Sequence, residues 1–259
     1  MSSEPYLCVQ GLTKTYGERH WWGTRGTGQA ALRDVSFTLE KGRTLGLVGP
    51  SGSGKSTLAR CLAGFETPDS GWVQVEGRPA RRAEIQLILQ QPAASLNPRF
   101  TAAEIVAEPL VIQKRGDARA RRDMAARWME TVGLPAGALD RPALEFSGGE
   151  RQRLAIARAL ALEPKLLILD ESFAGLDLSI QIQIERLLAD LAARIGLTAI
   201  LIAHDLALAA ALADEIAVME NGAIVENAPT AELLRHPRHP LSKELLEAAT
   251  ALSICGTAS

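Results

Sequence analysis

Gly49-Pro50-Ser51-Gly52-Ser53-Gly54-Lys55-Ser56 constrains this chain more than any other stretch. It fits the pattern G-x-x-x-x-G-K-[ST], a loop that works only between a strand that aims it and a helix that follows it. The flanks predict that arrangement: Thr44 to Val48 reads as a strand, and Ser56 to Ala63 turns to helical spacing. Glycines let the backbone curl around phosphates, while amide N–H groups and the helix N-terminus supply fixed positive potential. In such a loop Lys55 reaches the β and γ phosphates, Ser56 can ligate Mg²⁺, and Thr57 completes the candidate binding segment.

At 259 residues the chain is long enough for one large α/β domain or two modest ones, and composition does not choose between them. A formal net charge of -2 gives no global pull toward nucleic acid or anionic lipid. Apolar runs such as Leu166 to Leu169 and Thr198 to Ala203 fall far short of the roughly 20 residues that cross a bilayer. Met1 to Gln10 lacks the basic-then-apolar layout of a signal peptide, so a cytoplasmic location is expected. Cys8, Cys61 and Cys255 lie far apart without metal-ligand spacing and read as reduced thiols.

Along the chain, β-type runs at Tyr6 to Leu12 and Val35 to Leu39 precede the loop, and Gly71 to Glu76 and Ile85 to Leu89 follow it. Thr101 to Gly133 changes character: Ala, Arg, Glu and Met dominate, prolines punctuate the surroundings, and a mostly helical subdomain is expected. An α/β rhythm then returns with Leu166 to Leu169, a helix over Ser179 to Arg194, Thr198 to Ala203, a helix over Leu206 to Leu212, and Glu215 to Met219. That alternation predicts a parallel sheet core.

Leu166-Leu167-Ile168-Leu169 is a continuous apolar run, typical of a strand buried on both faces, and Asp170-Glu171 stands at its C-terminal end. Ligands of open α/β sheets bind at that edge. Adjacent carboxylates project to opposite sides of a strand and can hold different tasks: Asp170 on Mg²⁺, through water, and Glu171 polarising an attacking water.

Phe146-Ser147-Gly148-Gly149-Glu150-Arg151-Gln152-Arg153, followed by Ala155 to Leu160, resembles the signature segment of ATP-binding cassette (ABC) nucleotide-binding domains. It also stands just before the acidic strand. From Leu7 to Asn227 the expected motifs occur in order, and the resemblance implies a P-loop NTPase fold with a parallel-sheet core, an N-terminal antiparallel β subdomain and a helical subdomain. It further implies that Ser147, Gly148, Gly149 and Glu150 close over ATP held by a partner's phosphate loop. Gln90, with Gln91 as the rival assignment, is similar to the glutamine that senses Mg²⁺ and the attacking water. His204 is similar to the switch histidine at the γ-phosphate, Asp177 to the residue that communicates across the dimer, and Tyr16 to the aromatic that stacks on adenine. Tyr16 packing on Trp21 or Trp22 is the plainer alternative. Two departures stand out: Glu150 replaces the family's commoner Gln, and Ser172 stands where Pro usually follows the acidic pair.

Ala94 to Arg99, the stretch Arg19 to Gln29, and His236-Pro237-Arg238-His239-Pro240-Leu241 resemble the branch that imports peptides or nickel. Only Cys255 stands in the tail where longer members hold an iron-sulfur cluster, so none is expected. What the resemblance implies is an ATP- and Mg²⁺-dependent ATPase, peripheral at the cytoplasmic face of the inner membrane. Its implied partners are a second ABC ATPase subunit, identical or homologous, integral-membrane permease subunits and, indirectly, a substrate-binding protein. The expected layout is an ATP-binding domain over 1–227, with a helical subdomain over about 92–165, and a short helical extension over 228–259. Nucleic acid is not an expected partner. A soluble ABC ATPase of DNA repair or translation is the rival, weakened by the lack of a long coiled coil or a second cassette.

Overall fold

Residues 5–17, 28–89, 95–170, 178–203 and 205–256 are described by a computed structural model of the chain. By its internal contacts the chain divides into two compact units, Met1–Ala80 with Gly196–Ser259, and Arg81–Ile195. The first opens with two long strands, β1 (Leu7–Tyr16) and β2 (Gln29–Leu39), paired antiparallel from Leu7↔Leu39 to Tyr16↔Gln29. Leu7, Val9 and Leu12 point into the core. Both strands run longer than simple alternation suggests, because the register shifts between Val9 and Leu12 and again before Lys14 and Thr15. Bulges of this kind break the period of two while the ladder continues.

Next comes β3 (Thr44–Val48), whose five residues are all buried, and then α1 (Lys55–Leu62) beyond the glycine-rich loop. The short strands β4 (Ser70–Val75) and β5 (Arg78–Pro79) complete an antiparallel sheet of order β2-β1-β4-β5.

In the second unit, β6 (Ile85–Ile88) is followed by the helices α2 (Ala102–Ile112), α3 (Ala118–Thr131) and α4 (Gly148–Leu160), then β7 (Leu166–Asp170) and α5 (Leu178–Ile195). Local chemistry sets the helix starts. Thr101 and Glu104 exchange side-chain and backbone hydrogen bonds as a capping box before α2, and Asp117 accepts from the Ala120 amide before α3. The strands β6 and β7 pair in parallel from Ile85↔Leu166 to Ile88↔Leu169, as the uninterrupted apolar run at Leu166 to Leu169 demands.

The chain then returns to the first unit with β8 (Ala199–Ala203), α6 (Leu206–Leu212), β9 (Glu215–Glu220), β10 (Ala223–Pro229), α7 (Thr230–Arg235) and α8 (Pro240–Gly256). Here β3 runs parallel to β8 on one side and β9 on the other, while β10 pairs antiparallel with β9. Gly46 lets α6 lie close over β3, since a Cβ there would stand 3.0 Å from the Ala209 methyl. Asn221 and Gly222, with φ of 48° and 85°, form a two-residue hairpin of the Asn-Gly type. The antiparallel edge strand β10 was not expected from the sequence rhythm.

Glu226 on β10 fastens the C-terminal segment. Its carboxylate accepts from the Arg238 amide at 3.0 Å, the His239 amide at 2.9 Å and the Ser242 hydroxyl at 2.5 Å. Leu233 and Leu241 enter the core formed with Val48, Ala203, Leu206 and Ile216. Burial pushes the Glu226 carboxyl up, but the Ser242 hydroxyl and the two amides outweigh it and leave the group below its ordinary value. A depressed folded value means stability that is complete above the ordinary carboxylate range and lost as pH falls through the folded value. We expect Glu226→Gln to lower unfolding free energy by about 1 kcal/mol at neutral pH, allowing for partial exposure of the group. Urea titrations should show this gap closing below about pH 4.

Candidate functional site

The loop that leaves β3 is clasped on two sides. Gly49 has φ of 151°, and a Cβ on it would fall 2.1 Å from the Met219 carbonyl oxygen; Gly54 has φ of 105°, and a Cβ there would fall 2.4 Å from the Ala31 carbonyl oxygen. Only glycine fits where β9 and β2 approach the loop so closely. The Gly222 amide donates to the Ser53 carbonyl at 2.9 Å and the Arg33 amide to the Gly222 carbonyl at 2.7 Å, so the hairpin turn stitches the loop to β2. Inside the loop, Ser53 N–H donates to Pro50 O at 3.2 Å, and Leu58 N–H to Gly54 O at 2.9 Å starts the helix.

Lys55, the first residue of α1, is only 4% exposed. Its ammonium donates to Gly49 O at 2.8 Å and Pro50 O at 2.9 Å, with Ser53 Oγ at 3.4 Å. Burying a cation is costly unless its donors are satisfied, and the loop's own carbonyls satisfy them. The result is a positive charge held by two backbone carbonyls of its own loop. Ser56 follows, half-buried, and Thr57 is buried beside it.

In the second unit, Asp170 is the last residue of β7 and is buried. Ser147 caps α4: its Oγ accepts from the Glu150 amide at 3.3 Å, and Glu150 Oε2 accepts from the Ser147 amide at 2.8 Å. Here the departure from the family's usual Gln acquires a physical content. The Ser147 amide and then its hydroxyl hold the Glu150 carboxyl below its ordinary value, placing a fixed negative charge at the helix N-terminus. Ser147 and Gly148 are exposed, and a Cβ on Gly148 would meet nothing within 4 Å. Among the described residues, nothing covers the Gly148 position.

Tyr16 sits at the end of β1 with its side chain exposed, and its hydroxyl donates to Glu66. Trp21 and Trp22, together with Gln90, Gln91, Glu171, Ser172, Asp177 and His204, lie outside the described residues. Sequence reasoning missed the loop's supports, Ala31, Met219 and Gly222, because they act through backbone atoms. Asn221-Gly222 between two apolar runs was the available signal for one of them.

A strand, a glycine-bound loop around a buried lysine, and a parallel sheet define an α/β nucleoside-triphosphate-binding protein. Comparison with known proteins narrows this. A family model described as ABC transporter matches residues 32–174. The chain is 40% identical over 259 residues to the dipeptide transport ATP-binding protein DppF of Haemophilus influenzae, covering 96% of this chain and 79% of that one. It is 44% identical over 243 residues to the oligopeptide transport ATP-binding protein OppF of Bacillus subtilis, covering 89% and 79%. Among solved structures, the ATP-binding cassette MJ0796, a dimer in a post-hydrolysis state bound to ADP and Pi, superposes with a TM-score of 0.72 at 28% identity, over 86% of this chain and 98% of that one. CbiO1 from Clostridium perfringens, part of the ABC transporter complex cbiONQ, gives 0.77 at 25% identity, over 90% and 92%. The chain belongs to the ABC transporter family. Its reaction is that of an ABC-type ATPase, ATP and water to ADP and phosphate.

Gly54→Ala tests the clasp. Positive φ and the Ala31 carbonyl together should cost about 1 to 3 kcal/mol of stability, read by chemical denaturation. A change within experimental error would mean that β2 does not confine the loop.

Proposed function

We propose that the chain is the ATP-hydrolysing motor of a peptide importer, working at the cytoplasmic face of the inner membrane beside integral permease subunits. The observation that carries the motor reading is the buried Lys55 ammonium held by Gly49 O and Pro50 O within a loop where a Cβ at Gly49 or Gly54 would strike backbone. The peptide cargo follows from the relatives, which are named for dipeptide and oligopeptide transport. No helix among the described residues is long and apolar enough to cross a membrane, which agrees with a peripheral subunit. The proposed layout keeps an ATP-binding domain over 1–227, a helical subdomain over about 92–165 and a C-terminal extension over 228–259.

In this reading Gly49 to Thr57 grip the triphosphate, with Lys55 moving from loop carbonyls to the β and γ phosphates. Tyr16 stacks on adenine. Ser56 and Asp170, with Gln90, supply hard oxygen donors of the kind Mg²⁺ prefers, and Mg²⁺ when bound neutralises charge developing on the phosphates. Glu171 accepts the proton of the attacking water, and His204 contacts the γ-phosphate. Ser147 to Glu150 of a second ABC ATPase subunit, presented outward by the α4 cap, close over the nucleotide, and Asp177 links the two sites. A substrate-binding protein delivers cargo to the permeases and does not touch this chain.

Two substitutions separate binding from chemistry. Lys55→Ala should weaken ATP at least about tenfold, the loss expected for a charge-assisted contact, in a titration with a fluorescent ATP analogue; undiminished affinity removes Lys55 from the site. Glu171→Gln should retain ATP affinity while slowing phosphate release by about 10² to 10⁴, the usual contribution of a positioned base. Near-normal turnover in the assembled transporter overturns that assignment.

A further inference from the structure

Tyr16 is held from behind by the segment that follows α1. Its hydroxyl donates to Glu66 Oε2, and the other carboxylate oxygen, Oε1, stands 2.7 Å from Arg60 Nε. That second contact is an ion pair without the alignment of a hydrogen bond. Arg60 lies on α1, the helix that begins at Lys55. Burial opposes the Arg60 charge, but the Tyr16 oxygen and the Glu66 carboxylate beside it outweigh burial and raise the group above its ordinary value. Two further contacts brace the same corner. Lys14 Nζ donates to Thr67 O at 2.7 Å and stands 5.9 Å from the Tyr16 ring centroid, and the Thr15 amide donates to Asp69 Oδ2 at 2.7 Å. Tyr16 nonetheless remains 44% exposed.

Partly exposed ion pairs contribute little to stability, typically about 0 to 1 kcal/mol, so folding alone does not explain why this phenol is tied so fully. What the arrangement does fix is direction. An aromatic ring at a strand end has two free torsions; anchoring its hydroxyl removes them while leaving the ring available to a planar partner. Arg60, which pairs with that anchor, is on the same helix as Lys55, five residues further along its length.

We propose that Glu66 is a positioning residue for nucleotide: it couples the Tyr16 hydroxyl to Arg60 on α1, and so registers the base-stacking ring against the triphosphate grip. This rests on the reading that Tyr16 stacks on adenine. Fixed geometry between base platform and phosphate loop lets both ends of ATP bind without reordering the ring, which lowers the entropic cost of association.

The test uses the purified full chain with Mg²⁺ and two probes, ATP and inorganic tripolyphosphate, the latter having no base to stack. Tyr16→Phe keeps the ring and loses the hydroxyl; Glu66→Ala loses the brace; Glu66→Gln keeps an acceptor of the same shape. We expect Tyr16→Phe and Glu66→Ala each to weaken ATP by about threefold to tenfold, a fraction of a full stacking contribution. The double variant should be no weaker than the worse single, because both break one linkage. Glu66→Gln should restore most of the affinity, and tripolyphosphate should bind all variants alike. Unchanged ATP affinity in the single variants, additive losses, or an equal loss of tripolyphosphate each overturn the proposal. If the unaltered chain gains nothing from the base, ATP and tripolyphosphate binding equally, the stacking reading itself fails and the brace falls with it; if it gains from the base but ignores Glu66, only the brace fails.

Discussion

A single buried cation organises the first unit. Lys55 is the charge that the β3-loop-α1 segment is built around, and its two short bonds to Gly49 and Pro50 carbonyls are what make that burial tolerable. Those carbonyls converge only because the loop adopts positive φ at glycines, and the glycines are required because Met219 and Ala31 press on it from β9 and β2. Loop, hairpin turn and N-terminal sheet are thus parts of one constraint.

The N-terminus of α4 is built on a different principle. At Ser147 the helix α4 satisfies its first amides through the reciprocal pairing with Glu150, so part of its N-terminal potential is already answered by a carboxylate. Its outward exposure at Gly148 suits a surface completed by another molecule, whereas the Lys55 loop is closed within its own unit.

Much of this was legible in the sequence, for reasons that differ by element. The phosphate loop was readable because its glycines and lysine each answer a local geometric demand, and β7 because a strand covered on both faces needs an unbroken apolar run such as Leu166 to Leu169. The full lengths of β1 and β2 were not, since register shifts near Leu12 and Lys14 scramble the alternation that pattern reading uses. Nor was β10, although Asn221-Gly222 announces a hairpin; the short polar run of Glu226 and Asn227 carries no strand periodicity. Contacts such as Glu66 to Tyr16 bridge fifty positions, and no local pattern encodes them. The cap at Ser147 is legible as S-x-x-E, a local pattern in which Ser147 and Glu150 answer each other's amides.

The measurement that bears most directly on the account is a structure of the full chain with Mg²⁺ and ATP. The account predicts that Lys55 Nζ leaves the Gly49 and Pro50 carbonyls for the β and γ phosphate oxygens while the loop backbone stays in place between Ala31 and Met219. A triphosphate bound elsewhere, or a Lys55 still bonded to its own loop with nucleotide present, would contradict it.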